Sequence, residues 1–226
     1  MITAWLYLEL ESDAIFGHGD SVPGLIDQEI ALDADGCPYL HGRTLKGLLS
    51  EACADLLYVL PKTPQNEHWM TAADKLFGLP GSDLATQGIL HVGHAGLPVG
   101  LQQAIRNELE MHKELDVKGW TREEVTAALT TVRQQTALDV DGAPDPHSLR
   151  TVRVILRGTI FAARLTFHTE KLTENQKGLL AACVKGVRRA GTARNRGRGR
   201  LRAWLADDAQ QPLDDWYQHF RREVHS

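Results

Sequence analysis

The stretch TENQKGLLAACVKGVRRAGTARNRGRGRLRAWL, residues 173–205, passes from a helix through an arginine-glycine loop into a strand. Thr173 stands where a helix N-cap belongs, and Leu179, Leu180, Ala182, Cys183 and Val187 follow at helical spacing, which predicts a helix to about Arg189. Leu201 to Leu205 reads as a strand. Between them, residues 188–202 hold seven arginines, three glycines and no acid. Order on both sides gives this run a fixed place in a fold and sets it apart from a solvated tail.

Upstream, Val152 to Phe167 alternates and predicts a long strand or a strand pair, with Gly158 as a bulge. Ile2, Ala4, Leu6, Leu8 and Leu10 line one face of a strand over residues 2–10. Leu45, Leu48, Leu49, Ala52, Cys53, Leu56 and Leu57 predict an amphipathic helix from about Thr44 to Leu60. Residues 66–77 look helical, Gly88 to Gly93 reads as a short strand, and Thr121-Arg-Glu-Glu124 has the form of a capping box. Residues 136–150, with Asp-Gly and Pro-Asp-Pro, read as an irregular excursion. Leu213, Trp216, Tyr217, Phe220 and Val224 mark a last helix near 212–225, a packing element or subunit contact.

The order strand, helix, strand, strand, helix, strand predicts an α+β fold of ferredoxin-like or RRM-like type, with both main helices on one face of an antiparallel sheet. Residues 1–226 read as a single domain with insertions near 60–135 and 136–150. A 42% hydrophobic content supports one core and excludes a disordered chain. No apolar run is long enough to cross a bilayer, and the N-terminus carries no basic leader, so the expected setting is cytoplasmic and away from membranes. Cys37, Cys53 and Cys183 are odd in number and widely spaced, which fits a reducing compartment and argues against structural zinc.

The formal net charge of −4 hides a strong asymmetry. Residues 1–42 hold eight acids and no Lys or Arg, whereas residues 150–204 hold fourteen Lys or Arg against Glu170 and Glu174. Glycine lets a backbone approach a polyanion, and each guanidinium offers a planar fork to phosphate oxygens. The partner these features imply is RNA or DNA. His41-Gly-Arg-Thr-Leu-Lys-Gly47 adds Arg43 and Lys46 at a helix N-terminus, where free N–H groups favour an anion. Together the two segments predict phosphate-gripping edges flanking one sheet. His91 and His94 have no further ligand at metal-binding spacing.

These residues carry a family resemblance. Tyr39-Leu-His-Gly-Arg-Thr-Leu-Lys-Gly-Leu-Leu49 resembles the "IPGSSLKGxxR" signature of the RAMP superfamily, the repeat-associated proteins of CRISPR systems, and Lys75-Leu-Phe-Gly78 resembles its "LFG". Gly191 to Leu201 resembles the closing glycine-rich loop, Gly88-Ile-Leu-His-Val92 the "GRLxFxDA" strand, and Thr136 to Phe161 the stretch leading into a long strand. Within the superfamily the chain is most similar to the repeated backbone subunit of type III effector complexes, and a divergent type III-D-like system fits as well as a standard one. The signature departs at His41, normally proline, and at Arg43, normally a small serine.

The resemblance implies CRISPR guide RNA, target RNA, further copies of the chain and other effector subunits as partners, and a thumb-like hairpin, here short, near residues 136–150. It implies RNA contacts from His18, His41, Arg43, Thr44, Lys46, Gly47, Arg150, Arg194, Arg196, Gly197, Arg198 and Gly199. It also implies a target-cleaving carboxylate after the first strand, a place that Asp27 occupies in Gly24-Leu-Ile-Asp27-Gln-Glu-Ile30, with Asp20 as its rival. Asp27 would act as an endoribonuclease residue and hold a divalent metal, Mg. An unperturbed aspartate, with a pKa of about 3.9, is a poor base, so positioning and metal recruitment carry more weight than proton abstraction. Two alternatives stand beside this one. The chain is a non-catalytic guide scaffold in which Asp27 serves structure, or a repeat-processing endoribonuclease that uses His18 or His41.

Overall fold

A computed structural model describes residues 2–17, 27–61, 66–79, 86–115, 119–136 and 149–225. Among the described residues, six strands and six α-helices follow in the order β1 (Ile2–Leu10), α1 (Gly42–Val59), α2 (Glu67–Phe77), β2 (Leu90–Val92), α3 (Val99–Leu115), α4 (Arg122–Leu129), β3 (Thr130–Gln135), β4 (Arg150–Ile155), β5 (Ile160–Phe167), α5 (Glu174–Gly186), β6 (Leu201–Ala206) and α6 (Asp214–His225).

The main sheet has the strand order β2-β5-β1-β6, and every pairing in it is antiparallel. This is the ferredoxin-like arrangement that the order of elements predicts. Alternation along β1 sends Ala4, Leu6, Leu8 and Leu10 to one face, where all are at most 2% exposed. Register sets Leu8 between Phe161 and Ala203, and Leu6 between Ala163 and Leu205. That face is closed by α1 and α5 through Leu45, Leu49, Leu179 and Leu180, all fully buried. Truncating one such leucine to alanine costs about 2–5 kcal/mol, against roughly 1 kcal/mol for a lost cap, so packing holds the layers and capping trims their ends. Thr121 and Thr173 both form complete capping boxes, with Glu124 and Gln176.

Between β2 and β5 the chain inserts α3, α4 and the β3–β4 hairpin. Residues 27–30 lie alongside this hairpin: Gln28 bridges Val152 in parallel, and Arg153 pairs with Glu29 at 2.9 Å. Asp13 ties in the other side, accepting the Arg157 amide at 3.2 Å and pairing with Arg133.

Several expectations need correcting. Of the two alternatives for Val152 to Phe167 the strand pair holds, divided between two sheets, but Gly158 is the positive-φ residue of the turn joining them, not a bulge. Helix α5 stops at Gly186 because Val187 turns extended (φ −73°, ψ 100°), three residues short of the predicted end. α3 and β3 have no counterpart in the sequence reading. Of the excursion at 136–150, residues 137–148 lie outside the described residues, while Arg150 opens β4.

Candidate nucleic-acid interface

The arginine loop is held by its own backbone. Gly191 and Gly199 both have positive φ, and a Cβ on them would lie 2.3 Å from the Ile15 carbonyl oxygen and 1.9 Å from that of Ala190. No other residue fits either place without moving main chain. The Gly199 amide donates to the Asp13 carbonyl, the Thr192 amide to Ile15, and the Arg200 amide to the Ser12 hydroxyl. A single 3-10 turn, Arg194–Arg196, caps the loop, and the Arg189 guanidinium braces it by donating to the Arg194 carbonyl at 2.7 Å. The loop backbone is thus held in place beneath its arginine side chains, of which Arg194 and Arg196 are exposed.

They surround an open depression of about 830 Å³ lined by Gln28, Glu51, Arg189, Thr192, Arg194 and Arg196. Glu51 of α1 lies 3.6 Å from Arg194. This exposed pair is worth at most about 1 kcal/mol, so a phosphate can displace the carboxylate. A second hollow of about 480 Å³ adjoins it, with Lys185, Arg188, Arg200 and Glu11 in its wall. Arg202, at the end of the run, is committed elsewhere. It pairs with Glu9 at 2.7 Å and lies over the Trp204 ring on the outer face of the sheet.

Asp27 is exposed, and its main-chain and side-chain bonds to Thr151 fix it at the loop end of the β3–β4 ladder, beside the Gln135–Arg150 pair. Its amide donates to the Thr151 carbonyl at 2.8 Å, and its Oδ2 accepts the Thr151 amide at 2.6 Å. Arg150 is the adjoining residue. Gln28, next in the chain, donates its side-chain amide to the Thr192 hydroxyl at 3.1 Å. The structure therefore brings Asp27, Arg150 and the arginine loop into one neighbourhood, with Gln28 as the link. Gln28, Glu51, Arg189 and Thr192 are absent from the sequence-based site; their roles arise from contacts across as many as 164 residues. Among the described residues, no group of three or more His, Cys, Asp or Glu could hold a metal ion, and Asp27 stands as a single carboxylate.

The start of α1 forms a separate place. A Cβ on Gly42 would lie 2.2 Å from the Val92 carbonyl oxygen, so this glycine lets the helix pack on the end of β2. The Gly42 amide donates to His94 Nδ1 at 3.0 Å, which places the proton of a neutral His94 on Nε2. Tyr39, His41 and His94 meet edge to face with ring centroids 4.8–5.4 Å apart. Lys46 donates to the Leu90 carbonyl at 3.0 Å, and burial pulls its ammonium below the ordinary lysine range. Arg43, Thr44 and Gly47 are exposed. The two predicted edges are separate places: the start of α1 lines a groove with β2 through Arg43 and Lys46, whereas Glu51, further along α1, lines the arginine depression. His18 and Asp20 lie outside the described residues.

The family model for the RAMP superfamily matches residues 7–202, from β1 through the arginine loop into β6. The chain belongs to the RAMP superfamily. Two solved structures of similar fold are a chain of the type III-B Cmr-beta complex in its apo state and one of Cmr-beta bound to cognate target RNA. The first has a TM-score of 0.58 and 13% identity over 92% of this chain and 98% of that one. The second has a TM-score of 0.61 and 12% identity over 96% and 99%. None of the curated proteins matches the sequence. At these identities the likeness is one of fold, and it extends over nearly the whole of either matched chain. No described helix is long and apolar enough to cross a membrane.

Proposed function

We propose that this RAMP protein is a guide-RNA-binding backbone subunit of a type III RNA-guided effector complex, and that it cuts complementary target RNA with Asp27. The observation that carries this reading is the hydrogen bond from Gln28 to Thr192, which ties the residue next to the exposed Asp27 into the wall of an arginine-lined depression. Guide phosphates fill the depression, and further copies of the chain and other subunits extend the path. The loop end of the hairpin at Arg150 and Thr151 presents the target strand to Asp27.

The carboxylate is held for this task. Oδ2 is occupied by the Thr151 amide, so Oδ1 is the oxygen that meets the substrate. One carboxylate is enough for Mg, which is commonly bound through one or two carboxylates with substrate phosphates and water completing its shell. Bound there, a divalent cation would supply charge neutralisation at phosphorus. Asp27 orients, and the strand geometry enforced by the hairpin aligns the 2′-hydroxyl with the scissile bond.

The Thr151 bond also favours the scaffold reading, in which Asp27 only anchors the hairpin. Two substitutions separate them. Asp27→Asn keeps an oxygen for the Thr151 amide and removes the charge; Asp27→Ala removes both. Target cleavage by the assembled complex should fall by at least about 100-fold in both variants, with guide binding intact, as expected for loss of a positioned catalytic group. Cleavage that survives Asp27→Asn assigns the residue to structure alone.

A further inference from the structure

We infer that the Glu29–Arg153 ion pair positions Asp27 by pinning residues 27–30 along β4, a role that rests on the Asp27 reading above and adds the residues that make its carboxylate effective. Three consecutive side chains leave this segment for three different partners. Asp27 reaches the Thr151 amide, Gln28 the Thr192 hydroxyl, and Glu29 the Arg153 guanidinium. The main chain adds two bonds along β4, from the Asp27 amide to the Thr151 carbonyl at 2.8 Å and from the Arg153 amide to the Gln28 carbonyl at 3.1 Å. So short a ladder sets register weakly, and a slip of one residue would turn Asp27 to the other side.

The pair is poorly built for stability. Among the described residues it is the most enclosed ion pair, with Arg153 and Glu29 side chains 23% and 18% exposed; in every other, at least one partner is more than half exposed. Arg153 Nε lies 2.9 Å from Glu29 Oε1, yet its N–H is not aimed at that oxygen and finds no other acceptor among the described residues. Desolvating two charges around an unsatisfied donor returns little stability, so a different purpose explains the pair. Both ends are held. Glu29 Oε1 also accepts the amide of Ile30, a core residue. Arg153 reaches the hydroxyl of buried Thr130 at 3.4 Å, and that hydroxyl donates to the Thr126 carbonyl of α4 at 2.7 Å. The contacts thus run from α4 to the residue two places after Asp27. A misplacement of about 1 Å at a reacting group costs roughly 100-fold in rate.

The test uses the assembled complex with guide RNA and a cleavable target. Glu29→Gln with Arg153→Met removes both charges, and the full chain should melt at the parent's temperature or above because the desolvation penalty goes with them. Guide binding should be unchanged and KM for the target should stay within about twofold, while kcat falls about ten- to hundredfold. Arg153→Lys keeps the charge, needs no directed Nε bond, and should hold kcat within about threefold of the parent. Loss of melting temperature and guide binding in step with the rate would mean a merely structural role and overturn the inference. So would a double variant that cuts like the parent, or Arg153→Lys as slow as Arg153→Met. Asp27→Asn, assayed alongside, separates the two failures. If it is inactive while the double variant cuts normally, positioning alone fails; if it cuts normally, the Asp27 reading itself fails.

Discussion

Replacing Arg194 and Arg196 together by glutamine removes two guanidinium groups from the wall of the depression and leaves the loop intact. Its anchors at Ile15, Asp13 and Ser12 are bonds from the loop backbone, and the Arg189 brace ends on a carbonyl that any residue at position 194 supplies. Binding to a single strand falls with salt by about 0.7 log unit per log unit of salt for each phosphate contact. Arg196 should contribute one full contact. Arg194 is partly answered by Glu51 at 3.6 Å, so it contributes between none and one. The slope should therefore drop by about 0.7–1.4, and between 50 and 200 mM salt the affinity gap between parent and variant should shrink about three- to sevenfold. Fluorescence anisotropy with oligouridylate across that range measures it. A variant that binds more weakly with the parent's slope would refute phosphate contact, and equal affinity at every salt would refute the site.

Other consequences follow from particular residues. Gly199→Ala puts a Cβ 1.9 Å from the Ala190 carbonyl oxygen at a φ of +69°, and should lower Tm by at least about 4 °C; Gly197→Ala, with open space around it, should cost less than half as much, and a reversed order in thermal melts would count against the loop geometry. His94→Ala strips the Gly42 amide of its acceptor and should cost about 0.5–1.5 kcal/mol in denaturant unfolding, without creating or abolishing any cleavage of repeat RNA by the isolated chain. Repeat-RNA cleavage that His41→Ala or His94→Ala abolishes would replace the present reading with that of a histidine ribonuclease. The Cys37 thiol is pushed up to about 12, chiefly by burial and then by Asp33 and Asp35. Below that pH it stays protonated, so iodoacetamide at about pH 8.5 should leave it unmodified in the native chain, and rapid alkylation seen by mass spectrometry would contradict the packing.

The parts of the fold visible in the sequence are those whose signal is local. Alternation along Ile2–Leu10, the stripe of α1, the box at Thr121 and the cap at Thr173 each lie within one element and survive into the structure. α3 escapes because little of it is buried: Val99, Leu101 and Met111 are 46–61% exposed, and of its described side chains only Leu109 is fully inside. β3, Thr-Thr-Val-Arg-Gln-Gln, is a strand because β4 pairs with it, not by pattern. The site divides in the same way. The arginine loop announces itself by composition, whereas the Asp27–Thr151 bond spans 124 residues and the His94–Gly42 bond 52, beyond the reach of any local pattern. The motif around Lys46 predicts a second edge, and only the structure shows that α1 lines both places, through Arg43 and Lys46 at one and Glu51 at the other.

A cryo-EM reconstruction of the assembled complex, with guide and a 2′-deoxy target at the scissile position, tests the account most directly. The account predicts guide phosphates against Arg189, Arg194 and Arg196, and a target phosphate in contact with Asp27 Oδ1, directly or through one cation. A guide strand that bypasses the arginine depression, or an Asp27 carboxylate facing no phosphate, would contradict it.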